Sequence, residues 1–215
     1  MKNTVIQKIL DEKIIVIVRG VEKNKLLPLT EAMYAGGIRL LEITYSATGS
    51  PSDAETAECI HTLCRHWGDR MFIGAGTVLT PEQVKMTAEA GGRFIISPDT
   101  NPEVIKSTVE LGMVSIPGAL TPTEIALAIR LGADFAKLFP VCSMGTEYVK
   151  AVKAPLSHAK LLAVGGVSEE NIRDYLKAGV SGFGLGSNII DKKMIAAGDW
   201  SGITALAKRF VDLVR

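Results

Sequence analysis

The sequence predicts an α/β protein in which eight parallel strands close into a (β/α)8 barrel, with one extra helix at the N-terminus. Eight short runs rich in β-branched and aromatic residues alternate with segments of helical period. Most runs begin about 20–30 residues after the previous one, which is the length of a strand–helix unit. The eight runs are Ile14–Val18, Arg39–Thr44, Phe72–Gly74, Phe94–Ser97, Met113–Ile116, Asp134–Phe139, Lys160–Val164 and Gly182–Leu185.

The alternation of strands and helices requires parallel pairing with right-handed crossovers, and eight such units suit closure into a barrel. An open sheet with helices on both faces is the alternative, and the absence of a long linker favours closure. The sequence has no Pro/Ser-rich linker and no low-complexity tract. We therefore expect residues 1–215 to form a single domain.

Several helix starts carry capping signals. Thr121–Glu124 has the sequence Thr-Pro-Thr-Glu, a capping box with proline in the first turn, and Thr80–Gln83 has the same form. Ser168 precedes two glutamates and predicts another helix start. The segment Met1–Asp11 predicts the extra helix because its apolar residues fall on one side.

Composition excludes several classes of protein. Lys and Arg number 24 against 23 Asp and Glu, so the net charge of +1 offers no basic field for nucleic acid or anionic lipid. Apolar runs such as Ile14–Val18 are far shorter than the ~20 residues that span a bilayer, and the charged N-terminus does not resemble a signal peptide. Three cysteines are too few for a disulfide framework. We therefore expect a cytoplasmic protein without nucleic-acid or membrane partners.

Three charged residues fall late in strand runs, where a barrel places its active site. Lys137 lies within Ala-Lys-Leu-Phe-Pro, Glu42 within Leu-Leu-Glu-Ile-Thr, and Arg19 directly after the first run. Because side chains alternate along a strand, Lys137 shares a face with Phe135, and Glu42 shares a face with Leu40. The sequence therefore predicts that a lysine, a glutamate and an arginine converge at the mouth of the barrel.

The buried lysine is the most informative of these residues. Burial disfavours the charged ammonium, and a neutral amine is a nucleophile that forms a Schiff base with a ketone. A lysine that reaches solvent or sits in an ion pair is the structural alternative for Lys137. For Glu42 the functional interpretation is a general acid and base, and the structural one is a partner charge for Lys137 or Arg19. The expected convergence of all three favours the catalytic interpretation.

Glycine clusters follow the last two strand runs, where barrels often bind phosphate. Gly165 and Gly166 follow the seventh run, and Gly186 and Ser187 follow the eighth. Glycines let a phosphate approach backbone N–H groups, and we expect a short helix near Ser187 to point its N-terminus at the anion. A third turn, Gly74–Thr77, offers the Thr77 hydroxyl to a substrate oxygen.

Four residues in the segment after the second run have the spacing of metal ligands: Cys59, His61, Cys64 and His66. We interpret the segment as a helix. At ~100° per residue, Cys59 and His66 point one way and the other two point nearly the opposite way, so four ligands do not meet one zinc ion. The sequence therefore predicts no metal site and no other cofactor.

These motifs together resemble the 2-keto-3-deoxy-6-phosphogluconate (KDPG) aldolase family, class I aldolases that include 4-hydroxy-2-oxoglutarate (KHG) aldolase. The resemblance covers nearly the whole chain and implies a homotrimeric (β/α)8 lyase. It implies cleavage of a 2-keto-3-deoxy sugar acid phosphate to pyruvate and glyceraldehyde 3-phosphate, without metal. The motifs that carry it are Val18–Gly20, Leu41–Thr44, Gly74–Leu79, Ile96–Pro98, Ile116–Gly118, Lys137–Pro140, Val164–Val167 and Gly184–Ser187.

The resemblance also implies a role for each candidate residue. Lys137 is then the Schiff-base lysine, and Glu42 is the proton-transfer residue. Thr77 contacts the pyruvate part of the substrate, and Arg19 binds substrate. The phosphate is held by four loop residues, Gly165, Gly166, Gly186 and Ser187.

Two positions depart from the pattern of the enteric KDPG enzymes. Ser46 stands where those enzymes have a carboxylate-binding arginine, four residues after the catalytic glutamate, and Val164 replaces a threonine before the Gly-Gly pair. Valine there resembles the 6-phosphogalactonate (KDPGal) branch. The C4 epimer of the substrate, the group that binds its carboxylate and activity on KHG are therefore left open. The rival functions are a phosphosugar epimerase, isomerase or synthase on the same barrel, and a sugar-phosphate-binding protein without catalysis.

Overall fold

Short parallel strands alternate with helices along residues 2–215, which are the residues that the computed structural model describes; Met1, the expected first residue of the N-terminal helix, lies outside them. The strands are β1 (Ile14–Val18), β2 (Leu40–Thr44), β3 (Phe72–Gly76), β4 (Phe94–Ile96), β5 (Val114–Ile116), β6 (Gly118–Ala119), β7 (Ala136–Leu138), β8 (Leu161–Val164) and β9 (Gly182–Leu185). The helices are α1 (Lys2–Glu12), α2 (Lys23–Ala35), α3 (Asp53–Trp67), α4 (Pro81–Glu89), α5 (Pro102–Glu110), α6 (Pro122–Arg130), α7 (Gly145–Lys153), α8 (Ile172–Ala178), α9 (Lys192–Ala197) and α10 (Trp200–Val214).

The strands form one parallel sheet in the order β5-β4-β3-β2-β1-β9-β8-β7-β6. Its two ends, β5 and β6, are the halves of one strand interrupted at Pro117, which has no N–H group to donate. The N–H groups of Phe135 and Lys137 donate to the carbonyl oxygens of Ser115 and Pro117 at 3.2 and 2.8 Å, so the pairing continues past the interruption. The predicted barrel is confirmed, and the open sheet is wrong.

The barrel interior holds a core of its own, distinct from the larger core between strands and helices. Helix α1 contributes Val5 and Ile9 to this inner core and packs across the amino-terminal end of the barrel. The strands contribute the side chains Ile15, Leu40, Phe72, Phe94, Ile96, Val114, Ile116, Phe135 and Leu162. Along β2 and β7, the residues two positions after Leu40 and Phe135 are Glu42 and Lys137. The period of two therefore carries these two charges inward, above the apolar layers.

Most of the predicted helix starts are present. The Thr80 hydroxyl accepts from the N–H of Gln83 at 3.3 Å, and Thr121 and Glu124 form a reciprocal capping box. The start predicted at Ser168 is wrong, because helix α8 begins only at Ile172. The N–H of Ser168 donates to Asn171 Oδ1 at 2.8 Å, and this local turn replaces the first helical turn. No helix within residues 2–215 is both long and apolar enough to cross a membrane.

Candidate active site

A cavity of about 590 Å³ opens at the carboxyl ends of the strands. Its wall draws on β1, β2, β3 and β7 and on the loops that follow β8 and β9, which are far apart in sequence. All eight residues singled out from the sequence line this one cavity: Arg19, Glu42, Thr77, Lys137, Gly165, Gly166, Gly186 and Ser187. Closure of the barrel therefore brings together the charged residues and the glycine loops.

Lys137 projects into the cavity from β7 and is only 7% exposed. Burial lowers the pKa of its ammonium group below the ordinary value; the charge of Glu42 opposes this shift, and that of Arg19 reinforces it. The Nζ atom lies 4.9 Å from the centre of the Phe139 ring, which forms an apolar wall beside the amine. The surroundings therefore favour the uncharged amine, the form that attacks a carbonyl carbon.

Glu42 is buried deeper still, with 1% of its surface exposed. Burial raises the pKa of its carboxyl group, while the nearby cations Lys137 and Arg19 act in the opposite direction. Within residues 2–215, Oε1 of Glu42 has no hydrogen-bond partner. The carboxyl group therefore has a free oxygen through which to exchange a proton with a molecule in the cavity.

The position of the Glu42 carboxyl group depends on the glycine beside it. A Cβ atom at Gly76, near the end of the neighbouring strand β3, would lie 1.6 Å from Glu42 Oε1. Only a residue without a side chain lets the carboxyl group occupy its observed place. The Gly-Ala-Gly-Thr turn therefore sets the position of the Glu42 carboxyl group as well as presenting Thr77.

Arg19 and Thr77 form a polar pair at one side of the cavity. Arg19 Nη2 donates to Thr77 Oγ1 at 2.9 Å, which joins the end of β1 to the end of β3. Thr77 has φ +55°, a left-handed conformation that is uncommon for a β-branched residue and is concentrated at functional sites. The pair presents a guanidinium and a hydroxyl group, which suit a carboxylate.

Ser46 does not supply the positive charge that the enteric pattern has at its position. Its hydroxyl accepts from the N–H groups of Thr48 and Ser50, both at 3.2 Å, and so it stabilises its own loop. It lines an adjoining cavity of about 730 Å³ that shares Arg19 and Thr77 with the first. At this side of the first cavity, Arg19 is therefore the cation available to an organic anion.

The opposite side of the cavity is built from backbone. Gly165 and Gly166 have φ +86° and +84°, and a Cβ at Gly166 would lie 2.2 Å from that of Cys142. The carbonyl oxygen of Gly165 accepts from the N–H of Cys142 at 3.0 Å, and that of Gly166 accepts from Asn171 Nδ2 at 3.0 Å. Because both carbonyl oxygens are bound within the protein, the glycine pair suits an anion that seeks N–H groups.

The helix predicted near Ser187 is wrong. The N–H groups of Ile189 and Ile190 both donate to the carbonyl oxygen of Gly186, at 3.0 and 2.9 Å, and close a single turn. Helix α9 begins only at Lys192, because Asp191 caps it with its carboxylate. The turn still lines the cavity at Gly186 and Ser187, and α9 reaches the cavity only with its first residue, Lys192.

Alternation along the sixth run predicts that Phe139 shares a face with Lys137, and Phe139 lines the cavity beside it. Sequence reasoning missed two polar residues of the wall, Asn188 and Lys192. Asn188 Nδ2 donates to the carbonyl oxygen of Val167 at 3.0 Å and ties the two glycine loops together. Lys192 reaches the wall only through the path of the preceding turn, which no sequence pattern indicated.

The four residues spaced like metal ligands lie on α3, as the helical interpretation requires. Within residues 2–215, no group of three or more His, Cys, Asp or Glu side chains is placed to hold a metal ion. Burial raises the pKa of the Cys64 thiol to about 11, which disfavours the thiolate that binds metals.

The fold and the site together define a class of protein. A closed (β/α)8 barrel presents a buried amine with a lowered pKa beside a buried carboxyl group with a raised pKa. The cavity is also lined by a guanidinium and by two glycine-rich loops. This combination is suited to imine chemistry on an anionic keto compound, as in the class I aldolases.

Comparison with known proteins agrees with this class. The sequence model of the family described as KDPG and KHG aldolase matches residues 5–206. The chain therefore belongs to the KDPG/KHG aldolase family and is an aldehyde-lyase, which confirms the resemblance stated from the motifs.

Three similar proteins show what the family does. The 2-dehydro-3-deoxy-6-phosphogalactonate aldolase of Escherichia coli is 38% identical over 177 residues, covering 82% of this chain and 83% of the relative. The 2-dehydro-3-deoxy-phosphogluconate aldolase of Haemophilus influenzae is 30% identical over 212 residues, covering 98% and 97%. The crystal structure of KDPG aldolase from Legionella pneumophila has a TM-score of 0.82 at 31% identity, covering 92% and 93%, and holds pyruvate captured as a covalent carbinolamine.

Proposed function

We propose that this chain is a class I aldolase that cleaves a 2-keto-3-deoxy-6-phosphosugar acid to pyruvate and glyceraldehyde 3-phosphate, with Lys137 as the Schiff-base residue. The observation that carries the proposal is the buried Lys137–Glu42 pair, in which burial shifts both pKa values toward the uncharged forms. A free amine next to a carboxylic acid is the arrangement that imine formation requires.

The first half of the reaction makes the electron sink. The Lys137 amine attacks the C2 ketone and forms a carbinolamine. Glu42, as the carboxylic acid, protonates the C2 hydroxyl group, which leaves as water and gives the iminium. The carboxyl group of Glu42 supplies this proton, and its raised pKa favours the protonated form. The amine of Lys137 supplies the lone pair, and its lowered pKa favours the neutral form.

The second half breaks the carbon–carbon bond. Glu42, now a carboxylate, removes the C4 hydroxyl proton, directly or through a water molecule. The C3–C4 bonding electrons move into the iminium, which gives an enamine and releases glyceraldehyde 3-phosphate. Protonation at C3 and hydrolysis of the imine then release pyruvate and restore the Lys137 amine.

The two sides of the cavity orient the substrate. Arg19 and Thr77 bind the substrate carboxylate beside the reacting C2. They take the role of the arginine that the enteric KDPG enzymes have at the position of Ser46. The phosphate lies at the opposite side, against four loop residues: Gly165, Gly166, Gly186 and Ser187. Substrate length then places C3 and C4 between Lys137 and the glycine loops.

Val164 supports a preference for the galactonate series at C4. It lines the cavity directly before Gly165 and offers no hydrogen bond to a hydroxyl group. The E. coli relative at 38% identity carries the phosphogalactonate name, whereas the H. influenzae relative carries the phosphogluconate name. Pyruvate release from both epimers and from KHG tests this assignment; a larger kcat/KM for the galactonate epimer supports it, and no pyruvate from any substrate contradicts it.

Reduction with borohydride in the presence of pyruvate tests the mechanism and separates it from its rivals. We expect a mass increase of one reduced pyruvate per chain, on the peptide that contains Lys137. Lys137→Met abolishes the adduct and turnover, and Lys137→Arg does too, because the guanidinium stays protonated. Lys160→Met, which removes an exposed lysine outside the cavity, keeps both. An isomerase, an epimerase or a binding protein forms no such adduct.

The resemblance also supports the assembly and location of the enzyme. We propose that residues 1–215 form one aldolase domain, that three copies assemble, and that the enzyme acts in the cytoplasm on a small phosphorylated keto acid. Sedimentation equilibrium tests the trimer, since a monomeric mass contradicts it.

A further inference from the structure

We propose that Lys192 binds the substrate phosphate and sets the preference for phosphorylated over unphosphorylated substrates. This inference rests on the proposed function, because it concerns the phosphate side of the same cavity. Lys192 is the first residue of α9 and lines the cavity together with Gly166 and Ser187. Its sequence position alone gave no indication of this placement.

The charges of the cavity indicate the need for such a residue. A phosphate monoester carries nearly two negative charges at neutral pH, whereas glycine loops offer only backbone dipoles. Within residues 2–215 the lining holds three basic side chains: Arg19, Lys137 and Lys192. Arg19 donates to Thr77 at the carboxylate side, and Lys137 is consumed in the imine. Lys192 is the remaining cation.

Local structure holds Lys192 at this wall. The Asp191 carboxylate accepts from the N–H groups of Lys193 and Met194 at 2.8 and 2.9 Å and fixes the start of α9. The Asn188–Val167 hydrogen bond fixes the turn before it. Because Asp191 occupies the N–H groups of the short helix, α9 contributes the side chain of Lys192 rather than an anion site at its N-terminus.

The Lys192 ammonium has no competing carboxylate. Within residues 2–215 it forms no ion pair, unlike the lysines of seven other pairs, which are Lys2, Lys8, Lys23, Lys25, Lys150, Lys177 and Lys208. An exposed ammonium on a flexible stem, at the edge of a cavity, reaches a phosphate without breaking an existing contact. The phosphate then gains a charge-assisted hydrogen bond.

The next residue, Lys193, is a matched control. It is exposed, it forms no ion pair within residues 2–215, and it does not line the cavity. Lys192→Met and Lys193→Met therefore remove the same charge, one residue apart on the same helix, and keep the aliphatic stem.

Steady-state kinetics with a 2-keto-3-deoxy-6-phosphosugar acid and with the same acid lacking phosphate test the proposal. We expect Lys192→Met to raise KM for the phosphorylated substrate about two- to fivefold, the size of one solvated charge contact, with kcat nearly unchanged. KM for the unphosphorylated acid stays the same, and Lys193→Met behaves as wild type on both. Raising the salt concentration narrows the difference between wild type and Lys192→Met.

Two results overturn the proposal, and they are distinguishable. Equal KM values for Lys192→Met and Lys193→Met on the phosphorylated substrate, or an equal loss on both substrates, remove Lys192 from the phosphate site and leave the aldolase function intact. Failure of wild-type enzyme to form the pyruvate adduct at Lys137 removes the proposed function, and the role of Lys192 with it.

Discussion

The two sides of the cavity are built from different parts of the chain. At the reacting side, Lys137 and Glu42 are side chains on strands, set by alternation above the apolar layers of the barrel interior. At the side proposed for the phosphate, Gly166 and Ser187 lie in the loops that follow β8 and β9. Under the proposed function, the first side works by desolvated charges with shifted pKa values and the second by backbone shape, so substitutions at the two sides should have different effects.

After the loss of turnover in Lys137→Met, the largest effect is expected at Glu42. Glu42→Gln keeps the buried volume but removes the transferable proton, so kcat should fall by about 100- to 10,000-fold with little change in KM. Steady-state pyruvate release measures both, and thermal unfolding checks that the variant is folded. A loss of kcat smaller than about tenfold would show that another group moves the proton.

A smaller effect is expected from Gly76→Ala, which acts on the same side through position alone. The added Cβ would lie 1.6 Å from Glu42 Oε1 and must displace the carboxyl group. A displacement of the carboxyl group by about 1 Å should lower kcat about 100-fold. Because the effect acts through Glu42, adding Gly76→Ala to Glu42→Gln should cost little more. An equal loss in both backgrounds would contradict the positioning role.

The smallest effect is expected at the phosphate side. Gly166→Ala places a Cβ 2.2 Å from that of Cys142 at a residue with φ +84°, which distorts the loop. KM for the phosphorylated substrate should rise about tenfold, while kcat for the unphosphorylated acid is unchanged. Gly68→Ala is the control, since Gly68 has φ +54° with nothing within 4 Å of its added Cβ, away from the cavity. A loss of kcat in Gly166→Ala would contradict the separate roles of the two sides.

The same contrast explains what the sequence could predict. The strand run Ile14–Val18 has the same bounds in sequence and structure, because burial on both faces selects β-branched and apolar residues. Alternation along the runs Arg39–Thr44 and Asp134–Phe139 was enough to predict that Glu42 and Lys137 line one cavity. The interruption at Pro117 was missed, although the missing N–H of proline was the signal for it.

Loops were predicted less well, because local side chains compete there with helical hydrogen bonds. The side chain of Asn171 accepts a hydrogen bond from the N–H of Ser168, and α8 begins after it. Asp191 caps α9, so that this helix begins after Asp191 and not near Ser187. The turn between β9 and α9 brings Lys192 to the cavity wall, a placement that depends on the path of the backbone. The roles assigned to the site residues stay predictions until the variants are measured.

The pKa of Lys137 responds in opposite directions to its two charged neighbours. The negative charge of Glu42 raises the pKa and the positive charge of Arg19 lowers it. Glu42→Gln should therefore move the titration of Lys137 to lower pH, and Arg19→Met should move it to higher pH. Shifts of the same sign in both variants would contradict this electrostatic arrangement.

The most direct test of the central claim is a ¹³C NMR titration of enzyme labelled at the lysine Cε, with Lys137→Met to assign the resonance. The account predicts that Lys137 titrates below the ordinary lysine pKa of 10.5. A titration of Lys137 at or above that value would contradict it, because burial would then not favour the free amine.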